Sequence, residues 1–257
     1  PQEDVRHFLD RQDPHYWMSF DRQAHERHAR LVRTAEAVHQ AVALDFQVDR
    51  FQARTEMVLF ASDHAGLFMK VAGALALSGA SIVDARIFTT TDGMVLDSFG
   101  IQNAEDRSAV ADPARLERIR KSVERALAGE IRLEQALAGR RSLPPRADVF
   151  QVEPRVLIDN TASRTHTVLE VNGRDRPGLL YDVARLLKDL GMVISSAHIS
   201  TYGERVVDVF YVKDVFGLKV MQPSKIRHIQ RRLSVALAGQ PAGGPAASPQ
   251  RRVQGGG

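Results

Sequence analysis

The chain contains no cysteine, which removes disulfides, thiolate nucleophiles and cysteine-ligated zinc together. It also lacks a long apolar run. The greasiest uncharged stretch, Val71 to Val83, is rich in alanine and glycine and falls short of the ~18 residues that a bilayer span needs. No charged segment followed by an apolar one opens the chain, so nothing addresses it for export and the cytoplasm is the expected compartment. Neither sign of charge dominates: 35 Lys and Arg against 31 Asp and Glu leave +4. The arginines are spread through helices, the 140–155 connector and the tail. That is the pattern of a solvated surface and not of a polyanion footprint. What is present is an ordinary globular composition, 44% apolar and 26% charged over 257 residues, enough for about two domains at ~150 residues each. The first residue is Pro1, which leads us to expect a piece of a longer polypeptide.

The strongest feature is an internal repeat. The segment Asp63 to Thr89 superimposes without gaps on Asp175 to Thr201 at an offset of 112, and 11 of the 27 pairs are identical: Asp63/Asp175, Gly66/Gly178, Leu67/Leu179, Val71/Val183, Ala72/Ala184, Leu75/Leu187, Gly79/Gly191, Ile82/Ile194, Ala85/Ala197, Ile87/Ile199 and Thr89/Thr201. One extra residue in the first copy's turn then brings VLDSF (95–99) onto VVDVF (206–210).

Each copy reads as the same order of elements. A strand, Glu56–Ala61 or Thr167–Val171, precedes the shared aspartate. A helix follows the shared glycine, with Leu67, Val71 and Leu75 in one copy and Leu179, Val183, Leu187 and Leu190 in the other. Gly79 and Gly191 end these helices as left-handed residues. Hairpins follow around Asp92-Gly93 and around Gly203. A second helix opens at Asp112-Pro113 and at Pro223-Ser224. We expect Val156–Asp159 to close the first sheet. The second copy is then one strand short, unless Phe216–Met221 supplies it. This βαββαβ order specifies a ferredoxin-like α+β fold in tandem, each antiparallel sheet carrying two helices on one face. The expected divisions are a helical connector at 1–50, with a helix over Arg22–Ala43, a first domain at 51–160, a second at 161–238 and a disordered tail at 239–257.

The chemistry-bearing motif is Asp-x-x-Gly-Leu, Asp63 to Leu67 and Asp175 to Leu179, placed where a strand turns into a helix. A glycine there admits a ligand to the backbone, and first-turn amides lack intrahelical partners. A free amino acid offers a carboxylate to those donors and an ammonium to Asp63 or Asp175, so one loop serves both ends. The bland alternative is that the aspartate caps the helix and the glycine permits the turn. Recurrence of the whole pattern favours binding. The candidate ligand-binding residues are Asp63, Ala65, Gly66, Leu67, Asp175, Arg176, Pro177, Gly178 and Leu179.

These residues carry a resemblance. The two copies resemble ACT domains, small βαββαβ modules that bind amino acids and regulate attached enzymes, and DRPGLLYDVA (175–184) is close to that family's most recognisable stretch. The longer phrase from Asp159 to Asp214, with HYWMSF at 15–20, is similar to the C-terminal region of the bifunctional uridylyltransferase and uridylyl-removing enzymes of bacterial nitrogen signalling. The likeness covers roughly residues 10–237. Ala65 stands where the second copy has Pro177. The resemblance implies a glutamine-responsive regulatory region. It also implies upstream catalytic domains, using Mg, that add UMP to a tyrosine of the PII signalling protein and remove it.

The segment itself shows no chemistry. It has no Gly-Ser followed by Asp-x-Asp for nucleotidyl transfer, and residues 63 and 64 read Asp-His where a hydrolase pair reads His-Asp. No cofactor and no metal site are expected within it. His25 and His28 share one helix side without an acidic third ligand and are expected on an exposed polar face. Asp97 and Asp208 are read as polar positions of alternating strands, and Tyr16 and Trp17 as an anchor of the N-terminal helix. The strands MVLDSFGIQ and RVVDVFYVK lack the Gly-Phe-Gly-Phe core of an RNA-binding sheet, so nucleic acid is not expected as a partner. A free-standing tandem module with no attached enzyme is the competing reading.

Overall fold

The computed structural model describes residues 8–12, 14–141, 153–202 and 205–238. A short helix α1 (Pro14–Ser19) leads into α2 (Arg22–Ala37), whose start is fixed by Asp21, the carboxylate accepting the Ala24 N–H at 2.8 Å. The helix expected to reach Ala43 ends at Ala37. The chain turns at His39, with φ 51°, and from Val42 runs as strand β1 (Val42–Asp49). Val42, Leu44 and Phe46 pack into the main core, whereas Ala43 joins the cluster under α2. Their alternation is a strand's, and it prevails over the helical spacing because β2 offers an edge to pair with. The segment up to residue 50 therefore ends in a strand of the sheet and is not helical throughout.

The first unit continues with β2 (Arg54–Ser62), α3 (Leu67–Leu77), β3 (Ala80–Arg86), β4 (Met94–Asn103) and α4 (Pro113–Leu127). After α5 (Leu133–Arg141), the second unit comprises β5 (Arg155–Asp159), β6 (Thr167–Arg174), α6 (Leu179–Asp189), β7 (Met192–Tyr202), β8 (Arg205–Asp214) and α7 (Pro223–Leu237). Gly79 and Gly191 follow α3 and α6 with φ of +70° and +69°, the left-handed ends that the repeat calls for. Asp112 caps α4 through the Ala114 and Arg115 N–H groups, and Pro113 is its first helical residue.

The strand expected to close the first sheet belongs to the second. β5 pairs antiparallel with β6, Val156 opposite Val171, as β1 pairs with β2. Each unit is thus ββαββα, its outer strand coming first in sequence and not last. An edge position needs only an antiparallel neighbour, and a hairpin from the preceding side supplies one as readily as a returning chain. The second unit is accordingly not a strand short, and Phe216–Met221 forms no strand. The two units remain ferredoxin-like α+β sandwiches in tandem. The tail from residue 239 and the Gly203 turn lie outside the described residues.

The units join into one eight-stranded antiparallel sheet, in the order β1-β2-β4-β3-β7-β8-β6-β5. The seam is the β3–β7 pair, where Asp84 faces His198, Ala85 faces Ala197 and Arg86 faces Ser196. Since Ala85 and Ala197 are repeat mates, an internal two-fold passes through that pair. Above the seam α3 packs on α6. Gly73 makes this possible: a Cβ there would lie 2.8 Å from Cδ2 of Tyr181 and 3.0 Å from Cδ1 of Leu133. Helix α5 bridges the units, burying Leu133 and Leu137 and pairing Glu134 with Arg185 at 2.7 Å. One apolar core runs under the helices of both units. The opposite face of the first unit is covered by α1 and α2, with Tyr16, Val32 and Ala35 against Phe60 and Leu96.

Candidate functional site

Both Asp-x-x-Gly-Leu loops sit where the spacing places them, between β2 and α3 and between β6 and α6. Gly66 and Gly178 precede the helices in the left-handed region, φ +89° and +78°, with no side chain capping either helix. The capping role is thus excluded for Asp63 and Asp175. Inside the loops, the Leu67 N–H donates to the His64 carbonyl and the Leu179 N–H to that of Arg176, both at 3.1 Å. The second loop is also tied by an ion pair, Arg176 to Asp182 at 2.6 Å. In the first copy those positions are His64 and Lys70, and Lys70 instead donates to the Leu127 carbonyl at 3.2 Å.

Past the three paired residues, the Ile87 N–H donates to the Ser195 carbonyl at 3.1 Å, and the seam opens into a cavity of about 1030 Å³. Its walls come from both units. The first contributes the loop Asp63 to Leu67 with Thr89 and Asp97, and the second the start of β7 (Met192 to Ser196) with Lys188 of α6. The Lys188 stem crosses the first loop: a Cβ on Gly66 would stand 2.8 Å from its Cδ. The stem of half-exposed Lys188, whose ammonium lies 3.5 Å from Asp189 Oδ1, thus meets the glycine turn and the start of α3 at one point.

Carboxylates form the other side of this point. Asp63 Oδ2 accepts from the Thr89 hydroxyl at 3.2 Å. Asp97 has no exposed surface; its Oδ1 accepts the Phe88 N–H at 3.1 Å, while Oδ2 has no hydrogen-bond partner. Burial pushes its carboxyl well above the usual range, and the nearby Asp63 adds to this. The second copy repeats the arrangement. Asp208 is 2% exposed with Oδ1 unpartnered, and burial pushes it up to about 7, with Asp175 adding to the rise. Asp175 is itself raised by burial, which outweighs the pull of Arg107 and Arg176.

Of the residues read from the sequence, Asp63, Ala65, Gly66 and Leu67 are brought together on the cavity wall. Asp175, Arg176, Pro177, Gly178 and Leu179 form the related loop elsewhere and do not line this cavity. The sequence motif is more complete in the second copy, and the seam cavity is walled by the loop of the first. Asp97 and Asp208, read as polar positions of alternating strands, are buried acids on the core side of those strands. Their signal was there, an aspartate at the centre of two apolar strands, VLDSF and VVDVF. Lys188 could not be read, because only the pairing of β3 with β7 carries it to the other unit's loop. His28 is a correction. It is buried, with Nδ1 2.9 Å from the Tyr16 hydroxyl, and burial lowers its pKa to about 4. His25 packs on Trp17, ring centroids 4.9 Å apart, so Tyr16 and Trp17 do anchor the N-terminal helices. Among the described residues no group of three or more His, Asp or Glu is placed to hold a metal ion, and no helix is long and apolar enough to cross a membrane.

This fold, with its helix-opening glycine loops and shared seam, defines a tandem ACT region. Residues 162–239 match the family model of the ACR family N-terminal ACT domain. Across most of its length the chain is similar to proteins named bifunctional uridylyltransferase/uridylyl-removing enzyme. It is 51% identical over 226 residues to that of Azospirillum brasilense (88% of this chain, 24% of the relative). The identity is 47% over 238 residues in Rhodospirillum rubrum (92% and 25%) and 44% over 248 in Gluconobacter oxydans (96% and 26%). The chain spans about a quarter of the length of these curated relatives. A solved structure of an unknown protein from Galdieria sulphuraria aligns at 14% identity and TM-score 0.23, covering 69% of this chain and 91% of that one, too loosely to bear on the fold.

Proposed function

We propose that this chain is the amino-acid-sensing regulatory region of a cytoplasmic bifunctional uridylyltransferase/uridylyl-removing enzyme, with glutamine as the ligand. The catalytic domains, the Mg chemistry and the PII substrate belong to the rest of the longer polypeptide's activity. The observation that carries the reading is the seam cavity, where the Asp63 to Leu67 loop of one unit meets Lys188 and the start of β7 from the other. The ligand carboxylate takes the Lys188 ammonium and the helix-start amides; its ammonium takes Asp63. Sensing an abundant metabolite needs only about millimolar affinity, near 4 kcal/mol, within reach of a few charge-assisted bonds. Because the ligand touches both units, its binding favours one arrangement of the seam. A coupling of ~1–3 kcal/mol to attached domains suffices to bias two opposed activities.

Calorimetric titration of glutamine tests the site. The parent chain binds, and Lys188→Ala and Gly66→Val each weaken binding by about tenfold or more. Gly66→Val does so by placing a branched side chain at positive φ and against Lys188. If both fold and bind as the parent does, the cavity is not the site.

A further inference from the structure

The motif accounts for one carboxylate at the ligand's amino end, yet the structure holds two. Asp97 lies on the central strand β4, opposite Leu59 of β2, and is buried directly behind the cavity lining, next to the loop that carries Asp63. One oxygen is satisfied by the Phe88 N–H, and the other is buried without a partner. A wholly buried carboxyl with an unused oxygen beside a largely apolar cavity is a costly arrangement in a folded chain. The second unit repeats it with Asp208, whose acceptor bond comes from Ser200, the repeat mate of Phe88. Two separate copies of an expensive feature, each beside its own loop aspartate, point to a retained use.

We propose that Asp63 and Asp97 together form the receptor for the ligand's cationic nitrogen, Asp97 being the residue that selects a primary ammonium. This deepens the amino-acid reading and rests on it. The other titratable or charged groups on the cavity wall are His64 and Arg86 of the first unit, His15 of α1, and Lys188, His166, His198, Tyr211 and Lys213 of the second. Arg86 lies over the Phe20 ring at 5.2 Å. Burial is what chiefly favours the protonated form of the inner carboxyl, and the charge of Asp63 adds to it while no cation lies between them. An ammonium between the two carboxyls reverses that balance. The Asp97 proton leaves to solvent, the freed carboxylate accepts the ammonium N–H, and the net charge of the two carboxyls plus the bound ammonium equals that of the empty pair, −1. Binding therefore releases up to one proton, and affinity rises with pH, by up to tenfold per unit, wherever Asp97 is protonated in the free chain.

The test is calorimetry of glutamine binding to the full chain at pH 6, 7 and 8, in buffers of different ionisation enthalpy. The result expected is proton release by the parent, with Kd falling as pH rises. Asp97→Asn should abolish both the release and the pH slope and weaken binding at pH 8 by about tenfold. Lys188→Ala should weaken binding while proton release persists. The methyl ester of glutamine, which keeps the ammonium and removes the carboxylate charge, should still release a proton. Glutamine binding with no proton release, or unchanged in Asp97→Asn, overturns the two-carboxyl receptor and leaves the amino-acid reading standing. Absence of glutamine binding at every pH overturns both.

Discussion

His28 folds as a neutral imidazole, because burial outweighs the attraction of Glu56 and lowers its pKa from 6.5 to about 4. The unfolded chain binds the proton more tightly. The stability contributed by neutral His28 is therefore complete above pH 6.5 and is lost as pH falls from 6.5 through 4, by up to roughly 3 kcal/mol. His28→Phe should remove that part of the pH dependence, and it should cost about 1–2 kcal/mol at pH 7.5 because the Tyr16 hydroxyl loses its partner. Thermal melts of both proteins from pH 7.5 to 4 check this. Equal acid slopes in parent and variant would show that His28 titrates normally. The same residue marks a limit of reading side chains one at a time. His25 and His28 read as a polar helix face, and only the packing of α1 on α2 shows that this face is buried. Asp97 and Asp208 follow the same logic: an aspartate centred in an apolar strand is visible, but that it points to the core side, in phase with Val95 and Phe99 or with Val206 and Phe210, is a property of the layers.

At the scale of elements, the repeat made most of the fold legible: the helix after each shared glycine, the left-handed ends at Gly79 and Gly191, and the starts at Asp112-Pro113 and Pro223. What it misassigned were the strands β1 and β5, which lie before the repeated segment in each copy. Residues 38–43 satisfy a helical spacing and lead straight into an alternating strand, and nothing local separates the two until β2 offers its edge. The helix pair across the seam carries a prediction. Glycine inside a helix costs about 1 kcal/mol relative to alanine, and Gly73 stands where α3 meets Tyr181 and Leu133. Gly73→Val should force α3 and α6 apart, lower stability by ~1–3 kcal/mol in denaturant titration and weaken glutamine binding with it. Unchanged stability would mean that the helices are not held at this separation.

For the whole molecule, the decisive feature is that two copies of one unit share a sheet about an internal two-fold, with different side chains at the two loops. The repeat makes such a pairing available. It does not say that the seam is β3–β7, since edge strands of either unit could pair within or between chains. The asymmetry comes from residues that differ between mates: Lys188 reaches across the first loop where its mate, Ala76, has no side chain to do so, and Arg176–Asp182 ties only the second loop. A ligand at the seam would engage the first loop and the start of β7 together, and hydrogen–deuterium exchange with and without glutamine reads that directly. Amides at 64–69 and at 192–196 should slow in concert while those at 175–179 change less; slowing confined to 175–179, or none in either seam segment, contradicts a sensor built at the seam.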